Sequence, residues 1–345
     1  MGSINNDQLQ ESTSDIPLID FALFLSSTST ETERLTTAKE LVAACHDVGF
    51  VSIANHGVPS ALLSEAFEWS KRLFDLEIEE KMKAPHPDGP AVHRGYSYPG
   101  LEKVSQVVSD DLDLGKKLRE VRDCKESYEI GHPLNDSQPN VWLPDYVLPG
   151  FQDFMNRFYT TLSDTSSSIL HAIGLGLGLS DPTYLLRFHS GINNQLRLLH
   201  YPPIPAKEVE EGRSARMEAH SDWGSITLLF QDECGGLEVQ RKDGQFVNIA
   251  PVEGALVMNV GDMLMRWSND YLKSTLHRVT LPPVEDRFTG SERLTRARYS
   301  IPYFVSPDED AIVEVMKECT GVDNPVKYEP VKQREYRAMR AKLQY

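Results

Sequence analysis

The stretch MEAHSDWGSITLLF, residues 217–230, decides how the rest of the chain is interpreted. In an extended chain, side chains two residues apart project from the same face, so His220 and Asp222 can direct an imidazole and a carboxylate to one point. A further histidine, His277, lies in a second β-like run, Ser274–Val279, and is the best candidate for a third ligand. Together these residues predict a metal site with two histidines and one carboxylate.

This ligand set indicates a particular kind of chemistry. Two histidines and one carboxylate on one face of a metal leave open positions opposite, as in non-haem Fe(II) sites that bind a cosubstrate and dioxygen. Arg298 and Ser300, two residues apart in a third β-like run, would share a strand face. A guanidinium beside a hydroxyl suits a carboxylate held away from the metal. The sequence therefore predicts an anion-binding pair near the metal.

The second half of the chain is typical of a β-protein. From residue 193 onward, short runs of strand-forming residues alternate with turn signals. The predicted strands are Gln195–Tyr201, Ser225–Gln231, Leu237–Arg241, Phe246–Ile249, Ala255–Val260, Thr275–Leu281 and Arg298–Val305. Many short strands without intervening helices favour a double-sheet jelly roll, also called a double-stranded β-helix.

Helical periodicity dominates the first half and the end of the chain. The predicted helices are Glu31–Val48, Ser60–Phe74, Asp153–Ile173 and Val331–Leu343. Residues 84–149 are irregular and rich in proline and aromatic residues, which favours a packed and partly functional segment. Helices that precede and flank a β-core define an α+β protein. We expect a disordered segment 1–14, an N-terminal region 15–150 and a jelly-roll core with its C-terminal helix at 151–345.

Composition restricts the choice of partner. The chain has 345 residues, with 35 Lys and Arg against 51 Asp and Glu, a net charge of −16. Such a charge disfavours nucleic acid and anionic membranes, and we expect a small-molecule substrate. The four cysteines form no CxxC pair, which favours reduced thiols and a cytoplasmic protein. We find no apolar run long enough to span a membrane.

The chain resembles the iron(II)/2-oxoglutarate-dependent dioxygenases of the isopenicillin N synthase-like superfamily over about residues 15–335. The motifs that carry this resemblance are GFVSIANHGV at 49–58, HSD at 220–222, NVGD at 259–262, HRV at 277–279 and RYS at 298–300. It is most similar to fungal enzymes of the thymine 7-hydroxylase type. That closer likeness lies in RGYS at 94–97, KESYEIG at 125–131, LRLLHYP at 196–202, GSITLLFQD at 224–232 and RWSND at 266–270.

The resemblance implies a role for each of six residues. It implies that Fe(II) is bound by His220, Asp222 and His277. It implies that the distal carboxylate of 2-oxoglutarate is bound by Arg298 and Ser300, with a hydrogen bond from Tyr201. Dioxygen would be the second cosubstrate, succinate and CO2 would be released, and ascorbate could serve as reductant. The implied activity is oxidation, most simply hydroxylation, of a substrate C–H bond.

Strand parity extends the site toward the substrate. If Tyr201 faces the metal, Arg197 faces it too, because the two residues are an even number of positions apart on one strand. For the same reason Phe304 should point inward if Arg298 does. An inward arginine in a β-core is costly unless it meets a partner. Trp223, directly after the aspartate of the HSD motif, is a natural wall at the mouth of the pocket.

These positions match those that hold a flat ring in the thymine 7-hydroxylase-like enzymes. There Asn194 and Arg197 would be polar contacts and Phe304 a stacking face, while Tyr96 from the irregular segment would form a lid. Trp223 stands where those enzymes have a tyrosine, and its larger indole changes the surface on which the ring of the substrate would stack. A planar aromatic or heteroaromatic molecule of fungal secondary metabolism is therefore expected, with thymine or another pyrimidine as the alternative.

Two other functions stay open at this point. An iron oxidase that performs oxidative cyclisation without 2-oxoglutarate could use Arg298 on the carboxylate of its substrate. A jelly-roll binding protein without turnover would keep the pocket, but the intact metal triad counts against it. Arg197 also has a structural alternative, a buried ion pair with an acidic residue.

Overall fold

The computed structural model describes residues 16–89, 92–101, 122–283 and 287–344. The predicted disordered segment 1–14 lies outside these ranges. Within them the α-helices are α1 (Ala22–Leu25), α2 (Glu31–Asp47), α3 (Ser60–Phe74), α4 (Ile78–Lys81), α5 (Phe151–Gly176), α6 (Ala206–Glu210), α7 (Asp262–Trp267) and α8 (Gln333–Gln344). None of these helices has the length and apolarity needed to cross a lipid bilayer.

The strands of the described residues are short, as predicted. In chain order they are β1 (Leu18–Asp20), β2 (Phe50–Ala54), β3 (Gly95–Ser97), β4 (Arg122–Asp123), β5 (Glu126–Gly131), β6 (Gln195–Tyr201), β7 (Ser214–Ala215), β8 (Met217–His220), β9 (Ile226–Gln231), β10 (Leu237–Gln240), β11 (Phe246–Asn248), β12 (Ala255–Val260), β13 (His277–Val279), β14 (Phe288–Thr289), β15 (Leu294–Thr295), β16 (Arg298–Val305), β17 (Ile312–Val313) and β18 (Val331–Lys332).

Two sheets form the jelly roll. The large sheet has the order β1-β2-β12-β9-β16-β6-β5-β3, and the small sheet has the order β11-β10-β13-β8. Apart from the parallel pair β1-β2, all neighbours in both sheets are antiparallel. The predicted α+β class with a jelly-roll core is confirmed.

The large sheet separates two apolar cores. On one face, alternate residues such as Leu196, Leu228 and Tyr303 pack with the buried sides of α2, α3 and α5. On the other face, Leu199 and Tyr201 belong to a smaller cluster with residues of the small sheet. Because strand side chains alternate between faces, a strand of the large sheet can contribute to both cores. A cavity opens on the face that carries Tyr201.

The helices that cover the large sheet begin where local sequence dictates. Helix α2 starts with a reciprocal capping box, in which the Thr30 side chain accepts from the Glu33 backbone and the Glu33 carboxylate accepts from Thr30. This arrangement satisfies two backbone donors at the helix end. Helix α5 presents a long apolar face and packs against α2.

Part of the irregular segment 84–149 belongs to the large sheet. Strands β3 and β5 form its edge, and β5 pairs with β6 along its whole length. Sequence pattern missed β5 because its charged residues interrupt the apolar alternation. Those charges are nevertheless buried, since Glu126 bonds the Lys81 ammonium at 2.9 Å and Glu129 pairs with Arg197. The boundary predicted at residue 150 stays a prediction, although strands from both sides of it share this sheet.

Candidate active site

Three potential metal ligands meet at the paired strands β8 and β13. His277 lies directly opposite His220 in this antiparallel pair, and their ring centroids are 4.3 Å apart. The Asp222 Oδ1 atom is 3.8 Å from His220 Nε2 and 3.7 Å from His277 Nε2. Two ligand atoms that each lie about 2.1 Å from one ion can be at most about 4.2 Å apart. Both distances to the carboxylate therefore fit a shared ion, and the three side chains form one candidate metal-binding group.

Backbone carbonyls orient both imidazoles. His220 Nδ1 lies 2.8 Å from the Glu218 carbonyl oxygen, and His277 Nδ1 lies 3.2 Å from that of Thr275. Each Nδ1–H therefore donates outward, which leaves the Nε2 lone pair directed at the site. Burial and the neighbouring His277 lower the pKa of His220 to about 4. A neutral imidazole is the form that binds a metal.

The Asp222 carboxylate is held by one of its two oxygens. Its Oδ2 accepts hydrogen bonds from Thr227 Oγ1 at 2.5 Å and from Asn259 Nδ2 at 2.8 Å. Burial alone raises the pKa of Asp222, but the two histidines and these two donors outweigh it and lower the pKa. Asp222 is therefore an oriented anion whose Oδ1 faces both imidazoles.

The turn that carries Asp222 brings two glycines into close approach. A Cβ atom on Gly261 would lie 2.3 Å from the Gly224 carbonyl oxygen and 3.0 Å from that of Asp222. The backbone N–H of Asp262 donates to the same Asp222 carbonyl oxygen at 2.8 Å. The NVGD motif thus supports the turn that carries Asp222 through Asn259, Gly261 and the start of α7.

The predicted anion-binding pair, Arg298 and Ser300, lies on β16. Arg298 is opposite Tyr201 in the β16–β6 register, and Arg298, Ser300 and Tyr201 are each only 1% exposed. The Arg298 guanidinium donates to Ser300 Oγ at 3.0 Å, to the Gly235 carbonyl at 3.0 Å and to Gln231 Oε1 at 3.1 Å. Arg298, Ser300 and Tyr201 line one cavity of about 220 Å³ together with the candidate metal ligands.

Two cationic residues at this end of the cavity were not predicted. Lys125 pairs with the buried Asp123, and Arg216 is 1% exposed. Within the described part of the chain, Nε and one terminal nitrogen of Arg216 have no hydrogen-bond partner. Arg216 lies four residues before His220, so strand parity could have placed it on the metal side. No comparable signal marks Lys125, because the strand that it directly precedes, β5, was not recognised.

Three of the predicted substrate residues, Arg197, Trp223 and Phe304, line the same cavity. Gln195, Leu199 and Tyr201 line the cavity beside Arg197, which confirms the predicted parity of β6. Arg197 also makes the ion pair that was its structural alternative, because the fully buried Glu129 bonds both Arg197 and Gln195.

Two predicted substrate residues lie elsewhere. Asn194 is buried outside the cavity lining, where its amide donates to the Tyr303 hydroxyl at 3.1 Å and accepts from the Ser306 backbone at 3.0 Å. Tyr96 is 1% exposed and donates to the Glu126 carboxylate, so it is a core residue rather than a lid. Both predictions are therefore corrected, since the polar groups of both side chains are engaged inside the protein.

Helix α8 contributes to the wall of the cavity. Gln333 and Arg337 line the cavity. Arg340 bonds Ser221 Oγ at 3.3 Å and lies over the Trp223 ring at 5.7 Å. The helix is anchored at Asp262, which binds Arg340 at 2.9 Å.

Two histidines on paired jelly-roll strands and a carboxylate in the turn after one of them, with open space and a buried arginine nearby, are typical of a mononuclear non-haem iron oxygenase. Comparison with known protein families supports the same class of enzyme. Residues 192–307 match the 2OG-Fe(II) oxygenase superfamily, and residues 16–145 match the family described as non-haem dioxygenase in morphine synthesis N-terminal. The chain belongs to the 2-oxoglutarate- and Fe(II)-dependent dioxygenases, and its cofactors are Fe(II), 2-oxoglutarate and dioxygen.

Individual relatives match nearly the whole chain. A 2-oxoglutarate-dependent dioxygenase from Aspergillus rugulosus is 37% identical over 91% of this chain and 94% of its own length. A proline hydroxylase from Petromyces alliaceus is 36% identical with the same coverage. The crystal structure of the full-length thymine 7-hydroxylase from Neurospora crassa with α-ketoglutarate and thymine superposes with a TM-score of 0.84, 37% identity, and 97% and 98% coverage. These matches leave the oxidase and binding-protein alternatives without support.

Proposed function

We propose that this dioxygenase hydroxylates a C–H bond of a small planar aromatic or heteroaromatic molecule in fungal secondary metabolism. The observation that carries the proposal is the placement of Phe304 and Trp223 in the wall of the cavity that also contains the three candidate metal ligands. Two aromatic side chains favour a flat ring, since they can stack on its face. The fungal setting is supported by the relatives from Aspergillus and Petromyces.

We assign the iron to His220, Asp222 and His277, because they form the metal-binding group found among the described residues. Arg298 and Ser300 would hold the distal carboxylate of 2-oxoglutarate, with Tyr201 packed beside them. The buried guanidinium is held by acceptors that bear no charge, so its positive charge remains available to an anion. When bound, iron and 2-oxoglutarate activate dioxygen, and succinate and CO2 are the co-products.

The substrate contact that we assign to Arg197 follows from its partner. Glu129 neutralises the guanidinium, so the pair presents no net charge to the cavity. Such a pair suits an uncharged polar edge of a ring, for example a carbonyl beside an N–H group. Glu129 also binds Gln195, which fixes the orientation of both side chains. The chain's own contribution is therefore positioning and the exclusion of water around the reacting carbon.

Hydroxylation of the thymine methyl group is a second candidate. It is favoured by the similarity to the Neurospora enzyme, which was crystallised with thymine. The indole of Trp223 is the feature of this chain that argues for a different or larger ring. The four described cysteines are free thiols, and we place the reaction in the cytoplasm. We propose a small molecule as the only partner.

The test uses purified protein with Fe(II) and 2-oxoglutarate added without oxygen. A weak visible charge-transfer band is expected first. Planar candidates, beginning with thymine, are then added with air, and succinate is quantified. Succinate released in proportion to one of these molecules would support the proposal. Release stimulated by non-planar molecules alone would contradict it.

A further inference from the structure

We propose that the substrate carries a carboxylate group, which Arg337 binds, and beside it an N–H or O–H group that donates to Gln333, both residues lying on helix α8. The inference rests on the proposed function, because it adds an acidic group to the planar substrate. It concerns the outer end of the cavity, away from the arginine that we assign to 2-oxoglutarate.

Gln333 and Arg337 reach the cavity from the same face of α8. They are four residues apart, so their side chains lie one above the other along the helix. Both line the cavity that contains the three candidate metal ligands. The start of the helix is fixed by the pairing of β17 with β18 and by a hydrogen bond from the Gln333 backbone to the Ala311 carbonyl at 3.0 Å.

Gln333 is a buried polar group that lacks a partner. The residue is 2% exposed, and among the described residues nothing donates a hydrogen bond to its Oε1 atom. A buried acceptor without a donor is costly, so native proteins nearly always satisfy it. An amine, hydroxyl or ring N–H group of a bound molecule would satisfy this atom.

Arg337 has no acidic partner within ion-pair distance among the described residues. Its guanidinium contacts two neutral side-chain amides, Asn193 Oδ1 at 3.5 Å and Gln138 Oε1 at 3.4 Å. Burial lowers the pKa of Arg337, and Glu309, which acts from beyond 4 Å, offsets this in part. Both hydrogen bonds are long, so the planar fork of the guanidinium is only weakly used by the protein.

The surroundings of Arg337 add further positive charge. Arg94 is 2% exposed, bonds the carbonyls of Gln138 and His93, and lies near enough to Arg337 for the two charges to repel. Glu129 acts on Arg94 but is already paired with Arg197. Arg94 and Arg337 are therefore close neighbours, while Glu129 is engaged by Arg197 and Glu309 lies beyond ion-pair distance of Arg337.

A carboxylate would supply the anion that Arg337 lacks among the described residues. It would bind the Arg337 fork through charge-assisted hydrogen bonds and offset the positive charge of the two neighbouring arginines. A hydrogen-bond donor next to the carboxylate would reach Gln333 Oε1. The substrate class is therefore a ring compound with a carboxylate and an adjacent N–H or O–H group.

The test measures binding to the full chain loaded with Fe(II) and saturating 2-oxoglutarate under anaerobic conditions. Saturation keeps acids out of the Arg298 pocket. The probes are anthranilate and anthranilamide, L-proline and L-prolinamide, and thymine, each titrated calorimetrically. We expect at least one acid to bind about tenfold more tightly than its amide, the usual size of a charge-assisted contact.

Three variants identify the residue responsible. Arg337→Gln should abolish the preference for the acid, and Arg337→Lys should retain part of it. Gln333→Leu should weaken anthranilate more than an acid without the amino group, such as benzoate. Arg334→Gln is the matched control, because Arg334 lies on the same helix in an exposed pair with Asp310, and it should bind the probes as the unaltered chain does. Thermal unfolding of each variant verifies that the fold is kept.

Each outcome separates this inference from the proposed function. Acids that bind no tighter than their amides, or a preference that survives in Arg337→Gln, would overturn the carboxylate site. Thymine bound more tightly than every acid would overturn it while the planar substrate stands. A preference shown only by L-proline would support the carboxylate site and contradict the planar ring.

Discussion

The two hydrogen bonds to Asp222 Oδ2 should control iron affinity. Replacing Asn259 with leucine keeps the approximate volume of the side chain but removes the donor that lies 2.8 Å from this oxygen. A hydrogen bond to a charged group contributes about 1.5–3 kcal/mol, and each 1.4 kcal/mol is about tenfold in affinity. Because Asp222 is only 7% exposed, water replaces the lost donor poorly. Asn259→Leu should therefore weaken Fe(II) binding by roughly ten- to a hundredfold, the range found for residues that orient metal ligands.

The assay is an anaerobic titration of the metal-free protein with Fe(II) against a competing chelator. Thr227→Val removes the second donor to the same oxygen, which lies 2.5 Å away, and should weaken iron binding by a similar factor. The 2-oxoglutarate affinity of iron-saturated protein should change little in either variant, since both residues bond Asp222 rather than Arg298. Iron affinity within about twofold of the unaltered chain in both variants would refute the reasoning.

Three further results are expected. Arg298→Ala should raise the KM for 2-oxoglutarate by roughly ten- to a hundredfold, because it removes the buried charge that we assign to the distal carboxylate; an unchanged KM would show that another cation holds this group. Gly261→Ala should destabilise the protein to denaturant by about 1–3 kcal/mol, since its Cβ would lie 2.3 Å from the Gly224 oxygen; equal midpoints would show that the turn relaxes. Burial lowers the pKa of His189 to about 4, whereas the unfolded chain titrates near 6.5. The unfolded chain therefore binds an extra proton as pH falls from about 6.5 to about 4, and up to about 3 kcal/mol of folding stability is lost over that range. His189→Gln should flatten this slope, and an unaltered slope would place its origin elsewhere.

Residues that act through local strand geometry were predicted well. The inward parity of β6 follows from the two-residue period that every pleated strand shares, and the same spacing singled out His220 and Asp222, which the structure groups with His277. Asn194 was placed in the pocket by resemblance against that parity, and the structure follows the parity. Its amide lies on the opposite face of the sheet from the cavity and donates a hydrogen bond to the hydroxyl of Tyr303.

Residues on the edge strands were predicted poorly, because their charges hide the β pattern. Glu126 and Glu129 belong to a strand whose six residues are all buried, and Lys125, which directly precedes it, is buried in an ion pair. A polar run of this kind is indistinguishable from a loop until its partners are known. Tyr96 was mistaken for a lid for the same reason, since its hydroxyl partner Glu126 lies 30 residues away along the chain.

The sequence by itself determined the jelly-roll class, grouped His220, Asp222 and His277 as candidate metal ligands and indicated the direction of the pocket, because short strands and side-chain alternation leave a pattern in the sequence. Only the tertiary structure decided that helix α8 contributes to the wall of the pocket. Helix α8 reaches the site because β17 pairs with β18 and because Arg340 and Tyr336 bind Asp262, which lies far earlier in the chain. Contacts between residues so distant leave no periodic trace in the sequence, so the placement of Gln333 and Arg337 in the lining of the cavity could be recognised only in the folded protein.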